Sequence, residues 1–179
     1  MPSSRGFKLV RLLDDDTIGQ EARAQSSDHS AVKLWLRLLS TTTQVEDEIR
    51  RRLRLRFGIS LPRFDYLAQL YRAPGGLKMK DLSRQLMVTG GNVTGLTDEL
   101  EREGLVQRES SPTDRRSWIV RLTEPGRSGF EAMAAEHEQW ILELFAGLEP
   151  KAVQQLHAQL GLLRVHLTRL KDQPTDDLT

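Results

Sequence analysis

A short polar run, Thr89-Gly90-Gly91-Asn92-Val93-Thr94-Gly95, carries residue types that can read the edge of a base. Asparagine can make a bidentate pair with adenine, and a threonine methyl can touch the methyl of thymine. Two glycines at a helix start leave N–H groups open to a phosphate, although a plain turn accounts for them equally well. Further on, Asp114-Arg115-Arg116 offers a second kind of contact. A loop arginine can enter a narrow minor groove, where the potential is most negative. An aspartate two residues earlier can fix its orientation through an ion pair. As bare residues in a turn, the same three form a solvated loop. Arg84, shortly before the polar run, adds a further cation.

These residues need elements to place them. Thr89 is a good N-cap, because its hydroxyl can accept an orphan N–H of the first helical turn. Val93, Leu96, Leu100 and Leu105 then mark one apolar face, leaving Asn92, Thr94, Gly95, Asp98 and Arg102 on others. Glu103-Gly104 ends that helix, glycine supplying a left-handed stop. A shorter helix from Leu77 to Leu86 precedes it, with Lys78 at its start and Met87-Val88 as the turn. Two β-runs follow, Leu105–Arg108 and Ser117–Leu122, and the polar loop between them holds Pro112, Asp114, Arg115 and Arg116. A helix-turn-helix followed by a hairpin is a winged helix, which can lay its second helix in the major groove of double-stranded DNA. The expected fold class is mainly α with a small β-hairpin wing.

The rest of the chain frames this unit. Residues 1–28 read as a partly flexible extension, with Phe7, Val10 and Leu13 at helical spacing before three aspartates. Residues 29–57 read as a long helix with Trp35, Leu38, Val45, Ile49 and Leu53 on or near one stripe. It ends in a basic run, Arg50, Arg51, Arg52, Arg54 and Arg56, which suits either a solvated face or phosphate contact. Gly58 stops that helix, Ser60 caps the next, and Pro62 sits in its first turn. Ile59 and Phe64 occupy the two positions of a hydrophobic staple. Thr123 caps a further helix with the seam Phe130, Met133, His137, Ile141, Leu144 and Leu148. Pro150 opens the last, with Val153, Leu156, Leu160, Leu163, Leu167 and Leu170 at steps of three and four. The tail 172–179 is polar and expected to be disordered. Residues 58–123 thus form the winged helix-turn-helix domain. Residues 29–57 and 124–171 supply dimerisation helices, whose seams exceed what one small domain can cover, so a homodimer is expected.

Composition narrows the function. Net charge is only +1, so any DNA contact rests on placement rather than bulk charge. Residues 29–77 are net basic, 128–179 net acidic, and the winged stretch between them is close to neutral. With no cysteine, disulfides and thiol chemistry are excluded. No apolar run is long enough to span a membrane, and the N-terminus lacks a signal-peptide core, so a cytoplasmic location without membrane partner is expected. No phosphate loop or nucleophile elbow is present, so the chain does not read as an enzyme. His29, His137, His157 and His166 never pair at three- or four-residue spacing, and neither a metal nor a cofactor is expected. The rival is a winged helix used for protein contact, which salt dependence separates from DNA binding.

Residues 77–127 resemble the winged core of the MarR family of bacterial transcriptional regulators. The resemblance is carried by Leu82-Ser83-Arg84-Gln85-Leu86, by Leu100-Glu101-Arg102-Glu103-Gly104-Leu105-Val106, and by Asp114-Arg115-Arg116 running on to Val120-Arg121-Leu122-Thr123 and Gly126-Arg127. The last follows the family's D-x-R…L-T-x-x-G-R wing signature, and the flanking helices match from about residue 30 to 170. The resemblance implies an obligate dimer on a pseudo-palindromic operator, with repression the commoner outcome. It places Asn92 and Thr94 at base-reading positions and Arg116 at the minor-groove arginine, with Arg84, Thr89, Gly90, Gly91 and Arg115 around them. Gly95 departs from the many members with arginine there.

Family members commonly release DNA when a small aromatic ligand binds beside the winged domain. On this chain that cleft would involve Trp35, Leu38, Phe64 and Asp65. The acidic Asp65 resembles the urate-responsive branch, but Leu96 stands where that branch has arginine. The stretch from Leu61 to Thr94 is closer to regulators of aromatic-acid catabolism, including those that sense aryl-CoA thioesters. Arg50 and Arg54 would then meet the CoA phosphates.

Overall fold

The computed structural model describes residues 30–86, 90–111 and 114–171. The elements run α1 (Ser30–Phe57), α2 (Leu61–Tyr71), β1 (Leu77–Lys78), α3 (Met79–Gln85), α4 (Gly90–Arg102), β2 (Val106–Ser111), β3 (Asp114–Leu122), α5 (Glu124–Phe145) and α6 (Pro150–Lys171). Two compact units divide within α5: one ends at Met133, and the other begins at Ala134. The expected class, mainly helical with a small antiparallel sheet, is what the chain forms. The expected extension 1–28 and the tail 172–179 lie outside the described residues.

Helix α1 runs unbroken through Ser40-Thr41-Thr42-Thr43. The Ser40 and Thr43 hydroxyls donate to the carbonyls of Arg37 and Leu39, satisfying polar groups that otherwise weaken a helix. Only Ile49 and Leu53 of its expected stripe are buried, while Trp35 is 60% exposed. Its basic end is laced with local ion pairs: Arg50 to Glu46 and Asp47, Arg51 and Arg52 to Glu48. Short-range helix pairs of this kind, screened by solvent, add little to stability. The guanidiniums of Arg51 and then Arg52 hold the Glu48 carboxyl down at about 2. Gly58, at φ 66°, donates its N–H to the Arg54 carbonyl and closes the helix.

Helix α2 is the centre of the first unit. Phe64, Tyr66, Leu67, Ala68 and Leu70 are all buried. Ser60 is its N-cap, but through its backbone: the Ser60 carbonyl accepts from the Arg63 and Phe64 N–H groups, and its hydroxyl makes no cap bond. Ile59 and Phe64, the predicted staple pair, are both buried. Around α2 the core gathers Leu53, Leu82, Val93, Leu100, Val106 and Val120, each with at most 2% of its surface exposed. Phe130 of α5 closes it, its ring centroid 5.4 Å from Phe64 and 5.0 Å from Tyr71.

The sheet differs from the expected two-stranded hairpin. It has three strands in the order β1-β3-β2, because Leu77 and Lys78 pair antiparallel with Val120 and Ile119. Leu77 therefore belongs to a strand rather than to the short helix, which starts at Met79 after Lys78. A two-residue strand has no periodicity to read. The turn before it is set by Gly76, at φ 79°, where an added Cβ would lie 2.6 Å from the Ile119 side chain and 2.7 Å from the Val120 carbonyl.

The second unit holds the later part of α5 and all of α6. Within it His137 and Trp140 stack edge-on at 6.5 Å, and burial lowers the His137 pKa. Helix α6 has no buried residue at all. Leu156, Leu160, Leu163, Leu167 and Leu170, the predicted seam, are all among its exposed apolar side chains. Among the described residues, no helix is long and apolar enough to cross a membrane.

Candidate nucleic-acid interface

Helix α4 is fixed from its buried side. Val93, Thr97 and Leu100, at i, i+4 and i+7, form the stripe that packs inward, each with no exposed surface. The 3.6-residue period then puts Asn92 and Thr94 on opposite flanks of that stripe and Gly95 directly away from it. Asn92, Thr94 and Gly95 are all exposed. Nothing lies within 4 Å of an added Gly95 Cβ, so the protein's own packing does not require glycine there. The helix begins at Gly90, one residue after the predicted cap. Thr89 itself, with Met87 and Val88, lies outside the described residues, as do the surroundings of Gly90 and Gly91.

Thr97 is the residue that periodicity alone missed. Its hydroxyl donates to the Val93 carbonyl at 2.7 Å and accepts from the buried Tyr66 hydroxyl at 2.6 Å. Burial pushes the Tyr66 phenol up to about 12. One polar pair inside the core thus pins α4 to α2. Composition gave no signal for it beyond a tyrosine and a threonine in otherwise apolar faces.

The far end of α4 is held by charge and by backbone. Gly104, at φ 73°, donates to the Glu101 carbonyl, and the Leu105 N–H reaches back to Leu100, the paired bonds of a Schellman stop. Arg63 of α2 pairs with Glu103, and Arg108 of β2 pairs with Asp98 and Glu101. Thr123 ties this end to the next helix. Its hydroxyl donates to the Gly104 carbonyl at 2.6 Å and accepts from the Gly126 N–H at 3.1 Å, capping α5. An added Gly126 Cβ would lie 1.9 Å from the Leu105 carbonyl oxygen, so only glycine lets α5 start against this turn. The Leu122-Thr123…Gly126 signature therefore fixes where the wing ends.

The wing is longer than expected. Strands β2 and β3 pair from Val106↔Leu122 out to Ser110↔Trp118, then shift so that Ser111 meets Asp114. The strands thus reach further than the expected polar loop allowed, and residues 112–113 between them lie outside the described residues. Asp114, Arg115 and Arg116, placed in the loop from sequence, have their backbone in β3, with Arg115–Ser117 displaced from the ladder by the shift. Polar residues with weak strand propensity concealed this, because hairpin pairing overrides propensity. The Asp114, Arg115 and Arg116 side chains lie outside the described residues, so their predicted ion pair does too. Nearer the base, Arg121 bridges to Glu109 at 3.0 Å and donates to the Pro74 carbonyl, while Trp118 is half exposed. Arg84, on α3, is 74% exposed and donates to Asp81 at 2.7 Å.

The predicted ligand residues lie on α1 and α2, where Asp65 is close enough to Arg50 and Glu46 to feel their charges. Phe64 is core, against Phe130. Trp35 is largely exposed and Leu38 half-buried on the N-terminal part of α1. Arg50 is paired with Glu46 and Asp47, and Arg54 is exposed. Asp65 borders a pocket of about 90 Å³ with Pro62, Leu86 and Leu96. Burial of its carboxyl, and secondarily the charge of Glu46, raises the Asp65 pKa. Leu96 belongs to α4, so this pocket touches the helix that carries Asn92. Among the described residues, no group of three or more His, Asp or Glu side chains is placed to hold a metal.

A short helix, a second helix with Asn92 and Thr94 exposed, and a three-stranded antiparallel sheet define a winged helix-turn-helix protein. The comparisons give the family. The MarR family model matches residues 57–117. The HTH-type transcriptional regulator YkoM of Bacillus subtilis is 33% identical over 113 residues, which is 63% of this chain and 73% of that one. Two solved structures show the same fold. AbsC of Streptomyces coelicolor, a MarR family transcriptional regulator, superposes with a TM-score of 0.68 at 23% identity, covering 80% of this chain and 97% of that one. The MepR–DNA complex of S. aureus gives 0.63 at 24%, covering 72% and 94%. The chain belongs to the MarR family, and it is a DNA-binding transcriptional regulator rather than an enzyme.

Proposed function

We propose that the protein is a homodimeric, ligand-responsive, cytoplasmic repressor. In this reading it binds a pseudo-palindromic operator by placing the two copies of α4 in successive major grooves. The observation that carries it is the pairing of an exposed polar helix start with an exposed leucine seam. Asn92 and Thr94 are exposed on α4, and among the described residues the α6 side chains of Leu156, Leu160, Leu163, Leu167 and Leu170 are exposed. A helix apolar along a whole stripe finds its partner in a second copy. Asn92 and Thr94 read bases, Arg116 enters the minor groove from the wing, and Arg84, Arg115 and the N–H groups around Thr89, Gly90 and Gly91 meet phosphates. The MepR structure, a DNA complex on the same fold, supports that orientation. The repressor sense follows the commoner behaviour of the family.

Release is by a small aromatic acid or its CoA thioester. The body of the ligand lies by Trp35, Leu38, Phe64 and Asp65, and Arg50 and Arg54 take the CoA phosphates. Contact of the Asp65 pocket with Leu96 supplies a route from ligand to α4. A thermal-shift screen of aromatic acids against their CoA thioesters tests this. Thioesters that stabilise the protein and weaken its DNA binding support the reading. Stabilisation by free acids alone removes Arg50 and Arg54 from it.

A further inference from the structure

Thr94, Asp98 and Glu101 follow one another at i, i+4 and i+7, so they share one flank of α4. Two carboxylates therefore continue the line of a base-facing residue, on a helix that must come close to phosphates. Both are well exposed, at 49% for Asp98 and 40% for Glu101. Neither stands as an open anion. Arg108, at the base of the wing, donates a guanidinium N–H to Asp98, and its other terminal nitrogen lies 3.5 Å from Glu101. Its backbone N–H donates to the same Glu101 carboxylate at 3.1 Å. The Arg108 side chain is only 23% exposed, and its Nε is buried without an acceptor.

An arginine beside a DNA-reading helix would ordinarily count as a phosphate ligand. Here both terminal nitrogens already face carboxylates, and turning them outward would leave two negative charges against the duplex. We propose that Arg108 is an internal counter-ion of α4: it cancels Asp98 and Glu101 so that the helix can approach DNA, and it does not itself touch DNA. It is a positioning residue, and the inference rests on α4 being the DNA-reading helix.

The test uses the full chain and a duplex recovered with it from a random-sequence library, with affinity measured across a salt series. Arg108→Met keeps the apolar stem and removes the charge, and should weaken binding at least 10-fold at low salt. Adding Asp98→Asn and Glu101→Gln should bring the triple variant back to within about 3-fold of wild type, with the wild-type salt slope. A structural role alone would not be restored by removing two more charges. A triple variant that stays as weak as Arg108→Met, with a salt slope lower by about one, would make Arg108 a phosphate ligand and overturn the proposal. Where circular dichroism shows Arg108→Met unfolded, Asp98→Asn/Glu101→Gln alone decides. It should bind at least as tightly as wild type, and weaker binding by a folded protein would contradict the cancellation. Asn92→Ala separates the premise: no effect of that variant on the selected duplex would fault the reading of α4 itself.

Discussion

The Tyr66 hydroxyl and Thr97 Oγ1 lie 2.6 Å apart with both side chains fully buried, joining the central helix of the fold to the helix that carries Asn92. Thr97 already gives its proton to the Val93 carbonyl, so Tyr66 must be the donor. The orientation of α4 thus depends on a directional bond as well as on apolar packing.

Tyr66→Phe should lower stability by about 1–2 kcal/mol, the range for losing one buried hydrogen bond, measured by urea unfolding. The same phenol makes a pH prediction. Its pKa is pushed up to about 12 in the fold, against 10 for a free tyrosine. The folded state therefore holds the proton more tightly, and this contribution is intact below about pH 10 and fades as pH rises through 12. Unfolding midpoints should fall faster in that window for wild type than for Tyr66→Phe; parallel curves would contradict the assignment.

Two glycines should respond in opposite senses to alanine. Gly126→Ala forces a methyl to within 1.9 Å of the Leu105 carbonyl, so a loss of at least about 2 kcal/mol is expected from overpacking against rigid backbone. Gly95→Ala meets open space in an exposed helix and should gain about 0.5–1 kcal/mol of stability. Thermal melts of the two variants check both signs.

Arg116→Ala should weaken operator binding by about 1–3 kcal/mol while leaving the fold intact. Unchanged affinity at physiological salt would take the wing out of the mechanism.

Leu160→Glu places a charge in the α6 seam, where a second copy would have to bury it unpaired. Sedimentation should then show a monomer, with operator affinity reduced on the order of 100-fold as the two half-sites lose their linkage. A dimer that survives this change would place the interface elsewhere.

Much of this architecture was readable before any coordinates. The stops at Gly58 and Gly104, the cap at Thr123 and the stripe of Val93 and Leu100 follow from local chemistry, because each depends on neighbours within a turn. What escaped depends on partners distant in sequence. Leu77-Lys78 becomes a strand only because Ile119 and Val120 lie beside it. Thr97 is buried only because Tyr66 supplies a donor. Asp98 and Arg108 look like solvated charges until the wing folds back on α4. The exposure of Trp35 and of the α6 leucines has the same origin, since periodicity shows that a stripe exists without showing what covers it.

Selection of binding sites from a random duplex library, run in parallel with wild type and Asn92→Ala, tests the central claim most directly. The account predicts that wild type recovers an inverted repeat with half-sites about one helical turn apart. It also predicts that Asn92→Ala relaxes the preference at one position in each half while retaining the spacing. The same motif recovered by both proteins, or no enrichment with wild type, would contradict it.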